Sequence, residues 1–164
     1  MTENTIAPLD PNLDLVLERV IDVPRSLVWA AWTTPEQLVR WWAPAPWTTV
    51  ACELDLRPGG RFYTVMRSPE GEDHPNAGCY LEIVAGERLV FTDALTPGYR
   101  PSSSPFMTVV LTLADEGAST RYTARVMHAD TATRDRHKEM GFFEGWGQCL
   151  DQLVGLVRSQ QAGR

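Results

Sequence analysis

The sequence contains little positive charge. Its 164 residues include 15 lysines and arginines against 21 aspartates and glutamates, which gives a net charge of −6. We therefore expect no nucleic-acid partner, because contact with phosphates requires a basic face. No apolar run approaches the roughly 18 residues that a membrane span needs, and the first residues, MTENTIAPLDPN, lack the basic and apolar regions of a signal peptide. These absences predict a cytoplasmic protein with no membrane partner.

Several motifs of cofactor and metal chemistry are also missing. Cys52, Cys79 and Cys149 form no C-x-x-C pair, which excludes a zinc ribbon and a thioredoxin-type site, so we expect small buried thiols. There is no G-x-S-x-G motif, and the Pro58–Gly60 segment is predicted to be a hairpin turn because no lysine and helix follow it. The sequence therefore predicts neither a cofactor nor a metal.

Strand patterns dominate the first three quarters of the chain. Alternating apolar residues over Leu13–Val23 predict a first strand, and two short helices follow over Ser26–Trp32 and from Thr34. The further strands are predicted at Thr48–Leu56, Arg61–Arg67, Gly78–Ala85, Arg88–Ala94, Phe106–Ala114 and Ser119–His128. Because strands follow one another directly, an α+β fold with an antiparallel sheet is expected. The length suits a single domain, which we place at residues 13–161 after a flexible lead-in, residues 1–12.

The run from Arg134 to the C-terminus predicts a long amphipathic helix. Its apolar residues recur at spacings of three and four, and they are Met140, Phe143, Trp146, Leu150, Leu153, Leu156 and Val157. Such a helix must cover the sheet. Gly141, Gly145 and Gly147 interrupt its first half, either because the helix bends there or because it packs closely against the sheet.

Short motifs recur along the chain in a characteristic order. They are Val23-Pro24 with Val28-Trp29, Pro35-Glu36-Gln37-Leu38, Pro58-Gly59-Gly60-Arg61-Phe62, Gly78-x-Tyr80-x-Glu82-Ile83, Arg88-Leu89-x-Phe91-Thr92, Thr120-Arg121 and Gly145-Trp146. Together with the order of elements, they resemble the helix-grip, START-like (SRPBCC) superfamily over residues 13–160. Within it, the chain resembles the AHSA-type branch, which is named for activators of the heat-shock-protein-90 ATPase. The resemblance implies a curved antiparallel sheet of six to seven strands around the C-terminal helix.

The name of that branch says little about a partner. Co-chaperone activity belongs to larger relatives that carry an additional N-terminal domain, whereas only twelve residues precede the first predicted strand here. Chaperone binding is therefore not expected, although it stays an open alternative. A homodimer is equally left open.

The resemblance also implies an apolar cavity between the sheet and the long helix. Wide side chains are numerous in the sequence, and they either fill the core or line such a cavity. The candidate ligand-binding residues are Trp42, Trp47, Phe62, Tyr80, Phe91, Phe106, Met140, Phe143 and Trp146. Access would be governed by the Leu95–Pro105 loop and the turn at Trp42–Trp47.

The candidates for acid–base chemistry are Glu82, Tyr80 and His128. If the face of Tyr80 is concave, the alternation of its strand turns Glu82 into the cavity, where burial would raise the pKa of the carboxyl. If the opposite face is concave, Glu82 is a surface residue, and both alternatives stay open. His128 ends the last strand and, with His137 near Asp135, matches no established metal-ligand spacing.

Three functions follow from these expectations. The first is binding of a small hydrophobic molecule. The second is a cyclase- or dehydratase-like enzyme that uses Glu82, Tyr80 or His128. The third is a protein-interaction module. The direction of Glu82 and the volume of the cavity are the observations that best separate them.

Overall fold

The structure, a computed structural model, describes residues 5–163. Its helices are α1 (Arg25–Thr33), α2 (Pro35–Leu38), α3 (Thr131–Glu139) and α4 (Phe142–Ala162). Its strands are β1 (Asp14–Ile21), β2 (Thr48–Leu54), β3 (Arg61–Arg67), β4 (Asp73–Val84), β5 (Arg88–Thr92), β6 (Leu95–Thr96), β7 (Arg100–Pro101), β8 (Thr108–Glu116) and β9 (Ser119–Met127).

Seven strands form one antiparallel sheet in the order β1-β9-β8-β5-β4-β3-β2. Most neighbours in the sheet are also neighbours in sequence, as hairpin connections require. Only β1 returns from the start of the chain, and it pairs with β9 along its full length, from Asp14 opposite Met127 to Ile21 opposite Thr120. The short strands β6 and β7 form a separate hairpin in the Leu95–Pro105 loop.

The core lies between the concave face of this sheet and the helices. Leu89 and Leu111 of the sheet and Leu153 of α4 are fully buried in one cluster, together with Trp32 of α1. In α4 the buried side chains recur at helical spacing, so one face of the helix covers the sheet. The predicted α+β helix-grip fold, with two short helices after the first strand, is confirmed.

The strand β4 begins five residues earlier than the sequence indicates. Residues 73–77 pair with β3, and Pro75 lies opposite Val65. Proline is tolerated in this stretch because β5 joins β4 only from Cys79 onward, which leaves one edge unpaired.

The long C-terminal helix is divided at Gly141. This glycine adopts φ 96°, a left-handed conformation that ends α3. The helical spacing of side chains starts again in α4, so residues on the two sides of Gly141 do not share one helix face. As a result, Phe142 is 2% exposed, whereas Phe143 is 41% and Met140 70% exposed. The expected single apolar stripe is therefore wrong at its first two members, Met140 and Phe143, while its members from Leu150 to Val157 face the core.

The segment before β1 contacts the rest of the domain where it is described. The carbonyl oxygens of Pro8 and Pro11 accept hydrogen bonds from Arg125 and Arg134. Residues 1–4 of the expected lead-in lie outside the described residues. In the described part of the chain, no helix is both long and apolar enough to cross a membrane.

Candidate functional site

A cavity of about 760 Å³ lies between the concave face of the sheet and the α3–α4 region. Its volume falls in the range of roughly 300–1,000 Å³ that is typical of small-molecule sites. Strands β3, β4, β5 and β9 contribute one side, and α3, α4 and the segment after α2 contribute the other.

Aromatic rings form most of the inner wall. The indole of Trp42 lies at their centre, with ring-centroid distances of 5.4 Å to Phe62, 6.3 Å to Phe91 and 6.1 Å to Trp146. Phe62 and Phe91 stack on each other at 4.6 Å. Rings that contact one another in this way hold each other in place, so the wall is apolar and largely preformed.

The mouth of the cavity is polar and exposed. Ser102 and Ser104 of the β7–β8 connection and Arg136 of α3 lie there. Asp93 holds this connection, because its Oδ1 accepts hydrogen bonds from the backbone N–H groups of Phe106 at 2.7 Å and Met107 at 2.9 Å. The rim is thus anchored beside an apolar interior.

Six of the nine predicted ligand-binding residues line this cavity. They are Trp42, Phe62, Phe91, Phe106, Met140 and Trp146. The other three lie elsewhere. Trp47 packs near the imidazole of His74, Phe143 points outward beyond the helix break, and Tyr80 is buried in the core behind Phe62.

A β-bulge turns Glu82 away from the cavity. Tyr80 pairs with Phe91, but Glu82 pairs with Val90, so Leu81 is the extra residue and the alternation of faces shifts there. Glu82 consequently lies on the outer face, where its half-exposed carboxylate forms an ion pair with Arg88. Of the two alternatives for this residue, the structure shows the surface one.

The cavity wall also contains groups that were not among the predicted ligand-binding residues. Tyr122 of β9, Phe142 and Cys149 of α4 and His137 of α3 all line it. Burial raises the pKa of the Tyr122 phenol and, to about 12, that of the Cys149 thiol, so both groups keep their protons at neutral pH. Helical spacing that continues through Gly141 places Phe143, and not Phe142, on the apolar face, which is why the sequence pattern does not predict Phe142 for this wall.

Tyr80 is unsuited to acid–base chemistry. Burial raises the pKa of its phenol, and the hydroxyl has no hydrogen-bond partner among residues 5–163. Its proton has no acceptor in the surrounding core, which is why we assign the residue to packing.

His128 is buried against a second histidine. Its Nδ1 lies 2.7 Å from the carbonyl oxygen of Leu13, and its Nε2 lies 2.9 Å from Nδ1 of His137. Both ring nitrogens of His128 are thus occupied within the protein, and it is His137 that lines the cavity. Among the described residues, no three histidine, cysteine or acidic side chains lie close enough to share a metal ion.

Comparison with known proteins confirms the family resemblance. The family model described as AHSA1, activator of Hsp90 ATPase homolog 1-like protein, matches residues 22–158. A search of curated proteins finds no match.

Solved structures resemble the whole domain. Protein NE0264 from Nitrosomonas europaea is 47% identical, with a TM-score of 0.91 over 94% of this chain and 99% of its own. Protein Ms6760 from Mycobacterium smegmatis is 25% identical, with a TM-score of 0.75 over 88% and 90% of the two chains. An AHSA1-like protein from Aeromonas hydrophila, at 24% identity and a TM-score of 0.70 over 91% and 94%, is similar in fold.

Proposed function

Because the chain belongs to the family of activator of Hsp90 ATPase homolog 1-like proteins, we propose that it binds a small hydrophobic molecule between its sheet and α4. The cavity supports this proposal, since its volume of about 760 Å³ is more than close packing of a core leaves open. Its aromatic interior and polar rim are typical of sites that enclose an apolar ligand.

The positions of the three acid–base candidates favour binding over catalysis. Glu82 is on the outer face, Tyr80 is in the core, and both ring nitrogens of His128 are engaged inside the protein. A general acid or base must reach the reacting group within hydrogen-bond distance, and none of these three side chains lines the cavity.

Gly145 offers a direct test. It lies on α4 at the cavity, and a Cβ added there would meet no atom within 4 Å outside its neighbours and its own helix backbone. Replacing it by leucine therefore adds a side chain that starts in open space at the cavity, and removal of a helical glycine stabilises the helix by up to about 1 kcal/mol.

Gly155 provides the matched control. It lies in the same helix, is exposed, is equally free of close contacts and does not line the cavity. We would titrate 2-methylnaphthalene into 15N-labelled protein and follow the indole N–H signals of Trp42 and Trp146. Saturable shifts that weaken about tenfold in Gly145→Leu but not in Gly155→Leu are expected. No saturable binding, or equal binding in both variants, would contradict the proposal.

A further inference from the structure

The histidine pair beside the cavity has an internally determined hydrogen-bond direction. His128 at the end of β9 and His137 of α3 are 7% and 8% exposed. A carbonyl oxygen only accepts, so the 2.7 Å contact with Leu13 requires that Nδ1 of His128 carries a proton. In a neutral ring, Nε2 of His128 is then an acceptor.

The acceptor role of His128 Nε2 in turn determines the donor role in His137. Because Nε2 of His128 accepts, Nδ1 of His137 must be the donor across their 2.9 Å contact. The remaining nitrogen of His137, Nε2, is left with an unprotonated lone pair. His128 therefore acts as a positioning residue that fixes the tautomer of His137.

The surroundings of His137 keep its ring neutral. Burial and the neighbouring His128 lower the pKa of His137 to about 4. Phe106 and Phe142 pack around it, with ring-centroid distances of 4.7 and 5.1 Å. A neutral imidazole with a bare Nε2 is a hydrogen-bond acceptor at physiological pH.

That acceptor belongs to the cavity wall. His137 lines the cavity, and among residues 5–163 no donor reaches its Nε2. An apolar ligand that fills the cavity displaces solvent from this acceptor, and the acceptor is then left unsatisfied unless the ligand itself supplies a donor. We infer that the cavity takes an apolar molecule bearing a hydroxyl or N–H group, and that Nε2 of His137 accepts a hydrogen bond from it.

The inference rests on the proposed function and narrows its ligand class. A hydroxyl, phenol or amine N–H at this position supplies the missing donor. An ether, a ketone or a carboxylate would instead place a second lone pair against that of the ring. Apolar molecules whose polar groups are all acceptors are therefore disfavoured there.

Two probes of matched shape test this. 2-Naphthol carries a hydroxyl where 2-methylnaphthalene carries a methyl group, so a difference in affinity reports on the hydrogen bond. We expect wild-type protein to bind 2-naphthol about tenfold more tightly, as one hydrogen bond formed inside an apolar cavity implies. In His137→Phe an aromatic ring remains but the acceptor nitrogen is lost, so the ratio of the two affinities should fall to about one.

A spectroscopic measurement tests the role of His128 without any ligand. Two-bond 1H–15N spectra distinguish imidazole tautomers, and each ring in its neutral form should show a protonated Nδ1 with an unprotonated Nε2. In His128→Phe the constraint is lost, and His137 should shift toward its Nε2–H tautomer, with a reduced preference for 2-naphthol.

The outcomes separate the two claims. Equal affinity of wild-type protein for both probes would overturn the hydrogen-bond inference and leave the proposed function standing. If neither probe binds, both the hydrogen-bond inference and the proposed function are contradicted. An Nε2–H tautomer of His137 in the wild-type spectrum would overturn the inference even if the variants failed to fold.

Discussion

The indole rings of Trp42 and Trp146 meet edge to face, with their centroids 6.1 Å apart. This contact joins the segment after α2 to α4 on the side of the cavity that faces the sheet. Trp42 also contacts Trp32 and Phe62, so the position of the wall depends on a connected group of rings and not on a single side chain.

Removal of Trp146 should therefore disturb the cavity more than the fold. In Trp146→Ala we expect the affinity for 2-methylnaphthalene to fall about tenfold, because a large apolar contact is lost. The free energy of unfolding should fall by about 2 kcal/mol, less than for a fully buried tryptophan, since Trp146 is only partly buried. Titration and urea denaturation measure the two effects.

Trp47→Ala is the control for that variant. Trp47 is also partly buried but packs near His74, outside the cavity. Its removal should leave the affinity unchanged, and an equal loss in both variants would indicate a general loss of structure.

Glu82 should be dispensable for ligand binding. The bulge at Leu81 places its carboxylate on the outer face, paired with Arg88. Glu82→Gln should leave the affinity for 2-methylnaphthalene unchanged and lower the free energy of unfolding by less than about 1 kcal/mol, as is usual for an exposed ion pair. A tenfold change in affinity would place this residue in the site after all.

Gly60 should be essential to the β2–β3 turn. A Cβ at this position would lie 2.0 Å from the carbonyl oxygen of Asp55 and 2.9 Å from that of Arg57. Because both neighbours are backbone, Gly60→Ala must distort the turn, and we expect a loss of at least about 2 kcal/mol in urea denaturation. Gly155→Ala, in open helix, should instead stabilise the protein by up to about 1 kcal/mol.

The type and order of the elements were predictable because alternation and helical spacing are local signals. Two local irregularities were not. The bulge at Leu81 reverses the faces within one strand, and Gly141 resets the phase of the final helix. These two changes explain why Glu82 and Phe143 were candidates for the cavity, and why Phe142 was missed.

The contact between His128 and His137 could not be predicted from sequence patterns. His128 and His137 are separated by nine residues, and their contact requires α3 to fold back over the end of β9. No spacing rule links a strand end to the second turn of a following helix, so only the tertiary structure could show that His137 faces the cavity.

The same pair should make stability depend on pH. The pKa of His137 is about 4 in the folded protein against 6.5 for an ordinary histidine, so between these values the unfolded chain binds more protons than the native state. Stability should therefore be highest above pH 6.5 and decline as pH falls toward 4. The contribution of His137 should be about 2 kcal/mol smaller at pH 5 than at pH 7. Urea denaturation of the wild type and His137→Phe at the two pH values measures it, and the variant should lose less stability on acidification. An identical loss in both proteins would show that His137 is not held neutral by its surroundings.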